Sequence, residues 1–144
     1  MTQNTDPLFA LEQLTARITS LISDLEAGAF QEEGFADLSM RQVLYLDTIA
    51  RLDHPSFGEL AEALGVTRPS VTALVGRLMH AGYVQKVQDG EDRRSFHIVL
   101  TQKGQQFAQT HAQMHRRIVQ VLVARLEQPE VEQLAAILAK AVGL

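Results

Sequence analysis

The stretch Ser56 to Tyr83, SFGELAEALGVTRPSVTALVGRLMHAGY, constrains the chain more than any other. Ser56-x-x-Glu59 is a capping box, in which a serine oxygen and a carboxylate satisfy amides that a helix start would leave orphaned. Leu60, Ala61 and Leu64 give the helix that follows an apolar side, and Gly65 supplies the positive φ that ends it. Thr67 is placed to cap a second helix, with Val66 and Val71 as the apolar staple around the cap. Val71, Leu74, Val75 and Leu78 recur at helical spacing and predict a buried stripe. Arg68, Ser70, Thr72, Ala73 and Arg77 fall on other faces. Small Ala61 and the turn at Gly65 let two such helices cross closely at a large angle. That is the pattern of a helix-turn-helix, whose second helix enters the major groove of DNA.

A helical hairpin that merely packs would show similar spacing, so the next segment decides. Tyr83-Val84-Gln85-Lys86-Val87 and Ser95-Phe96-His97-Ile98-Val99-Leu100 read as strands around an Asp-Gly-containing loop, Gln88 to Arg94. The loop is longer than a tight turn needs and carries two adjacent arginines. A helix-turn-helix followed at once by a basic hairpin is a winged helix. Residues 56–104 resemble the DNA-binding core of the MarR family of bacterial transcriptional regulators. The resemblance rests on GELAEALGVTRPSVTALVGRLMHAGYV, on Asp92-Arg93-Arg94 and on Leu100-Thr101-x-x-Gly104. In helix order and length it extends more weakly over the rest of the chain.

The flanking segments are helical. Leu11, Leu14, Ile18, Leu21, Ile22 and Leu25 predict a helix from Leu8 to about Ala27, followed by an acidic connector from Gly28 to Asp37. Ser39-x-x-Gln42 opens a second helix running to about Leu52. Thr101 is placed to cap a fifth helix reaching about Leu126, and Pro129 fits the first turn of a sixth. The fold class is mainly α with a small β-hairpin wing. Residues 1–37 are expected to form an N-terminal dimerisation helix and connector, 38–104 the winged helix-turn-helix, and 105–144 C-terminal dimerisation helices. The first, fifth and sixth helices carry apolar stripes outside the central domain, and in the resembling family such terminal helices interlock two copies. A homodimer is therefore expected. One recognition helix reads only a few base pairs, and a symmetric pair doubles the contact over half-sites about 34 Å apart.

A formal net charge of −4 looks wrong for a DNA binder until it is mapped. Residues 1–50 hold eight carboxylates against two arginines, whereas residues 65–104 hold six basic against three acidic side chains. The second segment is thus net positive, and charges beyond a Debye length of about 8 Å are screened at physiological salt. There is no cysteine, so neither disulfides nor the thiol sensing known in part of the MarR family applies. Residues 1–10 lack a signal peptide's basic start and apolar run, no apolar stretch is long enough to span a bilayer, and a cytoplasmic location is expected.

Chemistry assigns the candidate contacts. Arg68, at the start of the recognition helix, could reach guanine edges bidentately, and Thr67, Ser70 and Thr72 suit phosphate or base contacts. Pro69 and Ala73 can meet a thymine methyl, and Arg77 suits a phosphate. By resemblance, Arg94 is the wing-tip arginine that enters the minor groove, Asp92 orients it, and Arg93 adds charge beside it. His111 and His115 stand four apart on one helix, a spacing that can hold Zn²⁺ or another transition metal, with Glu26, Glu32 or Glu33 as a carboxylate ligand. Zinc-sensing members of the family are similar in having such a pair after Leu-Thr. Where they place a Glu-His pair early in helix two this chain has Gln42 and Val43, and it lacks their cysteine. No cofactor is required. The partners expected are double-stranded DNA, a second copy of the chain and a small-molecule effector, with a metal as the variant. The alternative is a winged-helix module that binds protein instead of DNA. An enzyme has no support, since phosphate-loop, HExxH and nucleophile-elbow patterns are all missing.

Overall fold

The computed structural model describes residues 6–88, 90 and 95–143. The elements are α1 (Pro7–Glu32), α2 (Met40–Leu52), α3 (Phe57–Leu64), α4 (Arg68–His80), β1 (Val84–Gln88), β2 (Phe96–Leu100), α5 (Gln102–Val123) and α6 (Gln128–Val142). They fall into two compact units, one of residues 26–112 and one of residues 1–25 with 113–144.

Local sequence sets the element boundaries in the first unit. Both capping boxes form. The Ser39 amide donates to Gln42 Oε1 at 2.8 Å, and the Ser56 amide donates to Glu59 Oε2 at 2.8 Å. This contact with the Ser56 backbone holds the Glu59 carboxyl below its usual range. Gly65 ends α3 at φ 62°, and the Val66 amide closes on Ala61 O at 3.0 Å. The stripe Val71, Leu74, Val75 and Leu78 is buried as its spacing requires, against a core that includes Tyr45, Leu46, Ile49, Leu60 and Ile98. Phe107 of α5 enters this core, with Phe35 edge-on at 5.5 Å between centroids and Phe30 at 5.7 Å.

Helix α1 runs past the expected end near Ala27, through Gly28, to Glu32, so the acidic connector is shorter than its composition suggests. Phe30 supplies the reason. It packs on the core, and this tertiary contact outweighs the roughly 1 kcal/mol that glycine costs inside a helix. Helix α5 stops at Val123, three residues before the expected end.

The hairpin is antiparallel, with Val84 opposite Leu100 and Gln88 opposite Phe96. Its inner strand is also tied backwards along the chain. The Ile98 amide donates to Pro55 O at 2.8 Å, His97 Nδ1 lies 2.9 Å from His54 O, and Ser56 bridges His97. The α2–α3 turn that receives these bonds holds Asp53 and His54 at φ 50° and 63°, the left-handed region that side chains other than glycine seldom adopt.

The second unit is unlike the first. Neither α1 nor α6 has a buried residue. Leu11 is 58% exposed, Leu14 53% and Ile137 57%, although all belong to apolar stripes. No helix among the described residues is long and apolar enough to cross a membrane.

Candidate nucleic-acid interface

The recognition helix presents a polar face because its apolar residues are committed to the core. Thr67 caps α4 by accepting from the Ser70 amide at 3.4 Å, and the two hydroxyls lie 2.9 Å apart. Pro69 occupies the first turn, where its missing N–H costs nothing. Thr72 donates to Arg68 O at 3.0 Å. Thr67, Arg68, Pro69, Ser70, Thr72, Ala73 and Arg77 are all exposed. The structure therefore places every expected recognition-helix residue on the solvent side. Arg68 does not extend from the helix start; its guanidinium lies back over Gly58 of α3.

Two cavities flank this face. One, of about 410 Å³, runs between α3, α4 and the hairpin and is lined by Arg68, Thr72, Lys86, Ser56, Ser95 and Phe96 among others. The Lys86 ammonium sits 4.1 Å from the Phe96 ring centroid, a cation–π distance. The other, of about 190 Å³, joins Arg41 of α2 to Ser70, Ala73 and Arg77. The wing-tip residues Asp92, Arg93 and Arg94 lie outside the described residues; the paired strands that carry them lie within.

This arrangement can be set beside known proteins. The MarR family model matches residues 36–95. The chain is 30% identical over 112 residues to the HTH-type transcriptional regulator PapX of Escherichia coli, a match covering 74% of this chain and 68% of PapX. The chain belongs to the MarR family of winged helix-turn-helix transcriptional regulators. It is also similar to the transcriptional repressor MprA of Escherichia coli, 30% identical over 82 residues, 57% of this chain and 47% of MprA. In fold it is similar to Streptococcus pneumoniae FabT, solved in complex with DNA, with TM-score 0.81, 23% identity and 96% of each chain covered.

The family pattern Leu100-Thr101-x-x-Gly104 has a physical explanation in this MarR-family chain. Thr101 Oγ1 donates towards Gly82 O at 2.6 Å and Tyr83 O at 3.0 Å, and accepts from the Gly104 amide at 3.2 Å. The hydroxyl thus starts α5 and ties it to the end of α4. Lys103 donates to Ala81 O at 3.0 Å and covers the Tyr83 ring at 4.1 Å. One of the basic charges in residues 65–104 is therefore spent on the C-terminus of α4, where a cation is favourable.

The two histidines differ in burial. His111 is 8% exposed, stacked on Phe107 at 5.6 Å, with Nδ1 3.3 Å from Asp47 Oδ1. Further along α5, His115 is exposed. Glu26 is half-buried and Glu32 exposed on α1, while Glu33 accepts from Gln106 at 3.3 Å. Among the described residues no group of three or more His, Cys, Asp or Glu is gathered to hold a metal ion. The carboxylate beside His111 is Asp47, which the spacing of histidines could not indicate.

Arg41, Lys86 and Gly58 are neighbours of the recognition face that the sequence does not reveal. In the sequence Lys86 is legible only as a basic residue of the first strand. Arg41 and Gly58 lie far enough from α4 along the chain that only the fold brings them to it.

Proposed function

We propose that this MarR-family protein is a sequence-specific DNA-binding regulator that grips a palindromic operator as a homodimer in the cytoplasm and represses transcription from it. One observation carries the reading: α4 turns a continuous exposed face of Arg68, Pro69, Ser70, Thr72, Ala73 and Arg77 outward beside a paired β-hairpin. Hydroxyls and guanidinium groups on such a helix match the donors and acceptors of base edges and phosphates. An acidic or apolar outer face would instead suit a protein partner. PapX and MprA are named as a regulator and a repressor, and FabT was solved on DNA, which supports the same reading. The uncovered stripes of α1 and α6 support the dimer. A small-molecule effector, by family resemblance anionic or aromatic, would release the operator by changing half-site spacing.

Selection of bound duplexes from a random pool, followed by fluorescence anisotropy at fixed salt, tests the reading. The expected product is a two-fold symmetric site. Arg77→Ala should weaken binding to all sequences alike and flatten the salt dependence, as loss of a phosphate contact does. Binding of equal strength to every duplex would overturn it, and a reporter gene whose output rises with the protein would replace repression by activation.

A further inference from the structure

Gly58 lies in the first turn of α3, and its φ is not in the left-handed region. The backbone there does not call for glycine, and alanine is the better helix former. Space is what the residue supplies. A Cβ built at this position would lie 2.7 Å from Arg68 Nη2 and 3.4 Å from Cζ. The guanidinium therefore occupies the room that a side chain would fill. Folded this way, Arg68 lines the cavity of about 410 Å³ with Lys86, Thr72, Ser56 and Ser95, and no carboxylate is among the described residues that line it. Lys86 is held there by Phe96 at 4.1 Å and Phe57 at 5.7 Å. Two cations face one cleft at the edge of the recognition helix. Arg68 is also the first residue of α4, whose first turn has no acidic side chain, so its charge opposes the helix dipole instead of complementing it. A charge with no stabilising role in its own helix is free to serve a ligand.

We propose that Gly58 is a positioning residue for Arg68. By leaving its Cβ space open it draws the guanidinium over α3 beside Lys86, where the pair receives a DNA backbone phosphate and Arg68 is held off the base edges. The inference rests on the DNA-binding reading above and assigns Arg68 a task within it. Gly58 thereby sets which bases the start of α4 can read.

Gly58→Ala tests this cleanly, because the atom it displaces is the far end of a flexible side chain and the fold need not yield. Its melting temperature should equal or exceed the parent's. Duplex selection and anisotropy are run on the parent, Gly58→Ala, Arg68→Ala and the double variant. Arg68→Ala should keep the parent's consensus, bind every sequence more weakly, and lower the salt slope by about one per protomer. Gly58→Ala should change the preferred base at one position in each half-site, and the double variant should return to the consensus of Arg68→Ala. In the DNA-free protein, the Arg68 Nε–H resonance should report an ordered side chain in the parent and a mobile one in Gly58→Ala. The proposal is overturned if Arg68→Ala alone relaxes one base position. It is overturned equally if Gly58→Ala selects the parent's consensus, or if its change persists without Arg68. A parent that binds no duplex would remove the DNA-binding reading, and the Arg68 resonance would then decide the positioning by itself. Equal order in parent and variant would overturn it.

Discussion

Gly104 and Gly58 both lack a side chain because something else needs the room, yet the two positions should answer differently to alanine. At Gly104 a Cβ would collide with the carbonyl oxygen of Tyr83, and the Leu100 side chain would lie only 3.1 Å away. A backbone carbonyl cannot swing away as a guanidinium can, and Tyr83 O already accepts from both the amide and the hydroxyl of Thr101. Gly104→Ala is therefore expected to cost about 1–3 kcal/mol, the usual range for overpacking, read as a lower denaturation midpoint with an unchanged m-value. Neither requirement is legible from neighbouring residues. Gly104 looks like a poor choice in the first turn of a helix until Tyr83, far back in the chain, is brought against it. The capping boxes are the opposite case. Ser39 with Gln42 and Ser56 with Glu59 complete their hydrogen bonds within four residues, so the sequence contains the whole interaction.

The same division holds for elements. Helices α2, α3 and α4 start where their caps predict, and the buried stripe of α4 follows from its spacing. The end of α1 could not be read that way, because what prolongs it is Phe30 meeting Phe107. His111 is a further example: its partners include Phe107 on its own helix, Phe30 on α1 and Asp47 on α2, and only the first is set by local spacing. For the wing, the two strands are legible and do pair as a hairpin, while the role of the tip rests on the Asp92-Arg93-Arg94 pattern. If the tip acts as the resemblance implies, Arg94→Ala should weaken operator binding by about tenfold or more with little change in melting temperature. Asp92→Ala should weaken binding as well, although it removes a negative charge, because by the same resemblance the guanidinium would lose its orienting carboxylate. Anisotropy at fixed salt checks both, and tighter binding by Asp92→Ala would make that residue a simple repulsive charge.

At the scale of the whole molecule, apolar side chains are divided unequally. The unit of residues 26–112 encloses its own core, while α1 and α6 leave leucines and isoleucines in solvent. Covering such stripes is what a second copy would do. Leu14→Asp is expected to shift sedimentation at micromolar concentration from dimer to monomer, weakening association on the order of 100-fold or more through two buried, unpaired carboxylates. Palindrome binding should fall with it, while the melting of the winged unit stays cooperative. A monomeric parent that still prefers a palindrome would contradict this. The hydrogen bonds from β2 to Pro55 and His54 bear on the operator itself. They fasten the hairpin to the turn that begins α3, so on the DNA-binding reading proposed above the helix that would enter the major groove and the wing that would reach the minor groove keep a fixed spacing. The reading head would then work as a fixed ruler laid along the duplex, and each half-site would have a phase as well as a spelling. One base pair inserted between the two segments read by a single protomer would rotate them by about a tenth of a turn. Binding should collapse although every contacted base is still present, and a compensating deletion outside the half-site should not restore it.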